Sequence, residues 1–186
     1  RGDFFVSHHN LEVAKKRTFP AGRKMTCIYH SRLPDDPRRL RAKEKIILCV
    51  ATIAETKGQL ILLNAFCKIA QIFPDWRLQF VGRIHCTQYF DTLKQTVYRN
   101  GLSKRVSFHK GVEFGALSEF YAKASVFVLP SLHEGLGLVL QEAMFFGCAV
   151  VGSSVGGIPE LVIPDSTGLL VPPSDPEALS TALATL

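Results

Sequence analysis

Glu134-Gly-Leu-Gly-Leu-Val-Leu-Gln-Glu142 sets two carboxylates eight residues apart around a glycine-rich turn. Ahead of it, Ser125-Val-Phe-Val-Leu-Pro130 is β-branched and aromatic and is stopped by proline, the pattern of a buried strand. Behind it, Leu138 to Phe146 is apolar apart from Gln141 and Glu142, and Gly147 supplies a helix stop. The order is strand, glycine turn, helix, which sets the first N–H groups of a helix beside the carboxyl end of a parallel strand, a place suited to an anion. Eight helical positions rotate by roughly 80°, so one helix cannot align the two glutamates. Glu134 is therefore expected on the loop and Glu142 on the helix, both facing one cavity. An unpaired carboxylate on so apolar a helix costs about 3–5 kcal/mol unless something hydrogen-bonds to it. The alternative, with Glu142 at the helix rim and Glu134 merely exposed, stays open from spacing alone.

The same alternation runs outward from this stretch. Ile46 to Ala51 is a continuous apolar strand, and Thr56-Lys57-Gly58 turns into a helix carrying Leu62, Phe66, Ile69 and Phe73 at helical spacing. Arg77 to Val81 is the next strand, followed by a helix with Phe90, Leu93 and Val97 that ends at Asn100-Gly101. Val106 to Phe108, a helix at Leu117, Phe120 and Tyr121, and strands at Ala149–Val151 and Leu169–Val171 follow, with a glycine loop between the last two. Ser174-Asp-Pro176 opens a last helix. Strands alternating with helices on short loops predict an α/β fold, a doubly wound parallel, Rossmann-like sheet with helices on both faces. Ligands on such sheets lie beyond the carboxyl ends of the strands, where Lys57, Arg83, Glu134 and Gly135 fall. No G-x-G-x-x-G follows the first core strand, which argues against a dinucleotide oxidoreductase.

Several of these pieces occur together in one known family. Lys57-Gly58, Val81-Gly82, the Glu134–Glu142 stretch, Gly156-Gly157-Ile158-Pro159-Glu160 and Gly168-Leu-Leu-Val-Pro172 stand in order over residues 46 to 186. In that set the chain resembles the C-terminal, donor-binding domain of family 4 ("group 1") retaining glycosyltransferases, one half of a GT-B fold. The resemblance implies transfer of a sugar from a nucleotide diphosphate sugar (UDP-, GDP- or ADP-linked) to an acceptor with retention, in polysaccharide or glycolipid synthesis, with no cofactor and no metal. It places the catalytic roles on Glu134 and Lys57: Glu134 on the transferred sugar, with Gly135, Leu136 and Gly137 approaching closely, and Lys57 on the diphosphate with the N–H groups of Leu138 and Val139. Glu142 would take the ribose hydroxyls, and the base would lie near Val81-Gly82 and Val106 to His109. The family has an arginine shortly after the first core strand, where this chain has Thr52. Arg83 is the candidate substitute for that lost cation, against the plainer reading of a solvent-facing arginine. The family also has an asparagine–glycine pair where His30-Ser31 stand.

Length and charge bound what surrounds this core. The 186 residues suffice for one ordinary domain with a core of its own. The division expected is a remnant of an N-terminal acceptor domain and linker at 1–24, then the donor domain at 25–186, the isolated piece being inactive. Asp3 to Ser7 and Met25 to Tyr29 are strand candidates, Asn10 to Arg17 a helix, and Pro34-Asp-Asp-Pro37 a turn. Of the net charge of +6, residues 1–45 carry +7, with 12 basic and 5 acidic residues. Its densest run, from Arg38 to Lys45, has no interleaved aromatics to stack on bases, so a solvated linker or peripheral contact with a membrane's inner face is favoured over nucleic acid. The five cysteines have neither metal-ligand nor redox spacing and fit small buried hydrophobes in a reducing cytoplasm. His8-His9 has no matching ligands nearby. Rival readings are a nucleotide-sugar-binding domain without catalysis, motivated by Thr52, and another GT-B enzyme such as an epimerase or phosphorylase. Donor sugar, acceptor and linkage are not written in the motifs.

Overall fold

A computed structural model describes residues 3–5, 7–16, 25–27 and 42–186. The turn at Pro34 to Pro37, the His30-Ser31 pair and the arginines at 38, 39 and 41 lie outside the described residues. The chain opens with β1 (Asp3–Phe5), α1 (His8–Lys16) and β2 (Met25–Cys27), then continues through β3 (Glu44–Val50), α2 (Gln59–Ile69), β4 (Arg77–Val81), α3 (Thr87–Arg99) and β5 (Val106–His109). The second half comprises α4 (Leu117–Lys123), β6 (Ala124–Leu129), α5 (Leu138–Phe145), β7 (Ala149–Ser153), α6 (Ile158–Leu161), β8 (Leu169–Val171) and α7 (Pro176–Ala184).

Six strands form one parallel sheet in the order β5-β4-β3-β6-β7-β8. The chain winds one way from β3 to β5 and the other way from β6 to β8, so its direction reverses between β3 and β6. Loops leaving two neighbouring strands at such a point diverge and open a crevice. Alternation along the strands divides the core into two layers. Ile47, Cys49, Val126 and Val128 face Leu62, Phe66, Leu93 and Leu179, whereas Ile46, Leu48, Phe127 and Leu129 face Tyr121, Leu140, Ala143 and Phe146. Both faces are covered, which is why these strands read as continuous apolar runs. The start of α7 follows its signal, Asp175 accepting the Ala178 N–H at 2.9 Å with Pro176 at the first position, whereas α2 ends at Ile69, one turn short of the expected Phe73.

The glycine loop after β7 contains a helical turn, α6, which its four residues were too few to reveal. Met25–Cys27 does not open the six-stranded sheet. It pairs in parallel with Asp3–Phe5, so the division expected after residue 24 runs between two strands bonded to each other. Cys49 and Cys148 are buried, while Cys27, Cys67 and Cys86 are half-buried. No described helix is long and apolar enough to cross a membrane.

Candidate functional site

The crevice between β3 and β6 is a cavity of about 390 Å³. Strand ends line it, with Val50 closing β3, Ala51 and Thr52 just after it, and Leu129 from β6. The glycine turn from Glu134 through Leu136 to Gly137, with Leu138 and Val139 at the start of α5, lines another side, together with Lys57. Glu134, Lys57, Gly135, Leu136, Gly137, Leu138 and Val139 are thus brought together as the sequence predicts.

Close backbone contacts hold that side. Gly58 sits at φ +66°, and a Cβ there would lie 1.9 Å from the Pro130 carbonyl oxygen, so only glycine lets the Lys57 turn approach the end of β6. The Leu132 N–H donates to the Thr56 carbonyl at 2.8 Å across the same seam. Behind the glutamate, the Gly157 N–H donates to the Gly135 carbonyl at 3.1 Å. Gly137, at φ +87°, then turns the chain into α5.

Lys57 and Glu134 touch each other. Nζ donates to Oε2 at 2.8 Å, with both side chains mostly shielded (26% and 16% exposed). Ser131 Oγ donates to the same Oε2 at 3.3 Å, and the Gly135 N–H to Oε1 at 3.1 Å. The carboxylate is therefore oriented by three donors. Sequence reasoning missed Ser131, although a hydroxyl three residues before the glutamate, just past the strand's closing proline, is a readable signal.

Three expected donor residues lie elsewhere. Glu142 is buried at 5% exposure and does not line this cavity; its Oε2 accepts from the Tyr121 hydroxyl at 2.8 Å. The expectation that both carboxylates face one cavity holds for Glu134 alone. Burial, and next the Glu142 charge, push the Tyr121 hydroxyl far above its ordinary value, so it stays a donor. Arg83 is exposed, and its backbone carbonyl accepts the Ile53 N–H at 2.8 Å. Neither it nor Gly82 lines the cavity. Gly82 instead anchors the strand ends, its N–H on the His109 carbonyl at 3.0 Å. Burial lowers the His109 pKa, which favours its neutral ring beside the Ser107 hydroxyl at 3.0 Å.

A wider polar cavity of about 720 Å³ adjoins the first, sharing Lys57, Glu134 and Gly135. Its far side comes from His9 and Asn10 of α1, with His133, Leu132 and the Ser154–Gly156 loop. His9 and Asn10 were not foreseen, because nothing local in sequence places them beside residues more than a hundred positions later.

Residues 34–186 match the family described as glycosyl transferases group 1. The chain belongs to that family. It is 31% identical over 167 residues to the GDP-mannose-dependent alpha-(1-6)-phosphatidylinositol monomannoside mannosyltransferase of Mycolicibacterium smegmatis, covering 82% of this chain and 43% of that protein. The sucrose-phosphate synthase of Thermosynechococcus elongatus superposes with a TM-score of 0.82 at 31% identity, over 98% of this chain and 48% of that one. Anabaena HepE, solved in complex with UDP, superposes at 0.77 with 25% identity, over 98% and 52%. The group 1 chain described here thus spans about half the length of these relatives, and its sheet is the Rossmann-like half of a GT-B architecture.

Proposed function

We propose that this chain is the donor-binding part of a glycosyltransferase that moves a sugar from a nucleotide diphosphate sugar to a hydroxyl acceptor with retention. The observation that carries the reading is the Lys57–Glu134 pair lining a cavity at the sheet's reversal point, beside the start of α5. A diphosphate entering there meets the Lys57 ammonium and the first amides of α5, a charge and a set of dipoles already in place. Glu134, released from Lys57, turns to the hydroxyls of the transferred sugar, and the close-packed glycine turn leaves room for the sugar ring. Glu142 lies one helical turn beyond Leu138 on the same side of α5 but does not line the cavity, so it would have to turn from Tyr121 toward it to meet the ribose. The leaving diphosphate is stabilised by these groups without calling on a metal ion, and the bond to the anomeric carbon breaks through an oxocarbenium-like transition state.

Thr52 lies in the cavity wall where the family has an arginine, so one cation is missing from the leaving-group side. Affinity is accordingly modest, roughly 10 μM to 1 mM. The acceptor would be held from the α1 side, and this chain by itself would bind donor without transferring it. A base-and-sugar panel of UDP, GDP, ADP and their glucose and mannose conjugates, titrated by calorimetry, tests the reading. Lys57→Ala should weaken every nucleoside diphosphate by about ten- to a hundredfold, and added salt should act in the same direction. Glu142→Gln should weaken free nucleotide and conjugate equally. No heat with any member of the panel would sink the donor-site reading, and transfer by this chain alone would refute the need for an acceptor domain.

A further inference from the structure

Glu160 lies outside the cavity at Lys57, yet it reaches the opening segment of the chain. Its Oε2 accepts the His8 N–H and its Oε1 the His9 N–H, each at 2.9 Å. A helix begins with N–H groups that have no intrahelical acceptor, and α1 has no acidic residue in its own first turn. Ser7, fully buried, accepts the Asn10 N–H on its Oγ at 3.1 Å, and its carbonyl takes the Leu11 N–H at 3.1 Å. The donors of His8, His9 and Asn10 are each met, the first two by a carboxylate about 150 positions later in the chain.

The start of α6, which carries Glu160, grips both sides. A Cβ on Gly157 would stand 2.9 Å from Ser7 Cβ and 2.4 Å from the Gly135 carbonyl oxygen, so this glycine lies pinched between the start of α1 and the glutamate loop. Within that clamped turn, His9 and Asn10 line the polar cavity that Lys57 and Glu134 also line.

We propose that Glu160 is a positioning residue for the acceptor side of the reaction. By holding the first turn of α1 it sets His9 and Asn10 across the polar cavity from the Lys57–Glu134 pair, and so fixes the wall against which a hydroxyl nucleophile is aligned. The proposal rests on the glycosyltransferase reading above, and its own test is separable from that reading.

Glu160→Ala, Glu160→Gln and Glu160→Asp are compared in the full-length protein by hydrogen exchange, by calorimetry with UDP and GDP, and by hydrolysis of whichever of UDP-glucose or GDP-mannose binds. In the alanine variant, exchange over Ser7 to Lys16 should quicken about tenfold or more, while that of β3 and β6 stays unchanged. Nucleoside diphosphate affinity and donor KM should stay within about twofold, and kcat should fall about ten- to a hundredfold. Aspartate should restore part of both losses. Should the alanine variant not fold, glutamine, which keeps one acceptor oxygen, serves the same comparison. Unchanged exchange over α1 would overturn the clamp, and a loosened α1 with wild-type kcat would reduce it to a structural contact. Failure of the unaltered protein to bind either nucleotide strikes the donor-site reading, and the exchange comparison still judges the clamp.

Discussion

Glu134 and Glu142 stand at the two ends of one short stretch, and their surroundings could hardly differ more. Glu134 sits on a loop, partly exposed, with its oxygens on Lys57, Ser131 and the Gly135 amide, at the shared edge of two cavities. Glu142 is buried on α5, with Oε2 on the hydroxyl of Tyr121, whose ring stacks on Phe146 with centroids 5.9 Å apart. The first carboxylate is held by contacts that a ligand can replace. The second has Oε2 held by a tyrosine hydroxyl that belongs to the core. A shared motif therefore does not mean a shared mode of support, and the two should fail differently when disturbed.

The largest effect is expected behind Glu134. Gly156 has φ +58°, and a Cβ there would stand 1.8 Å from the Glu134 carbonyl oxygen, so Gly156→Ala must push the glutamate loop away. A stability loss of about 3 kcal/mol or more is expected in urea unfolding, together with loss of nucleotide binding. A loss below about 1 kcal/mol would mean that the loop yields freely and that its backbone does not fix Glu134.

Next comes the buried end. Tyr121→Phe keeps the ring stack but removes the donor to Glu142, and should cost about 1.5–3 kcal/mol in the same assay, the range for hydrogen bonds to charged groups. If stability is untouched while nucleotide affinity falls, Tyr121 acts by aiming Glu142 at a ligand and not by satisfying it in the core.

Smallest of all is the effect of freeing Lys57. Glu134→Gln keeps the shape of the loop and removes the charge that now occupies the ammonium. Free UDP should bind equally well or up to about fivefold more tightly, in keeping with the modest worth of a partly exposed pair, while UDP-sugar gains nothing. An equal loss for both ligands would put Glu134 on the diphosphate side and erase the contrast drawn above.

The periodicities, glycine turns and proline stops of residues 46 to 186 determined the element order, and with it the parallel sheet and the strand ends at which Lys57, Glu134 and the Gly135–Val139 turn would gather. These are local signals: burial on both faces imposes apolar runs, and a positive φ or a close approach imposes glycine, so each is written within a few residues of where it acts. Only the tertiary structure decided that Lys57 pairs with Glu134, that Glu142 turns to Tyr121, that Arg83 and Gly82 stay out of the cavity wall, and that Glu160 reaches back to His8 and His9. Side chains of opposite charge, or a carboxylate and a helix start, carry no mark of which distant partner they will meet. That choice follows from strand order and loop path, which bring together positions 77, 21 and 152 residues apart in the chain.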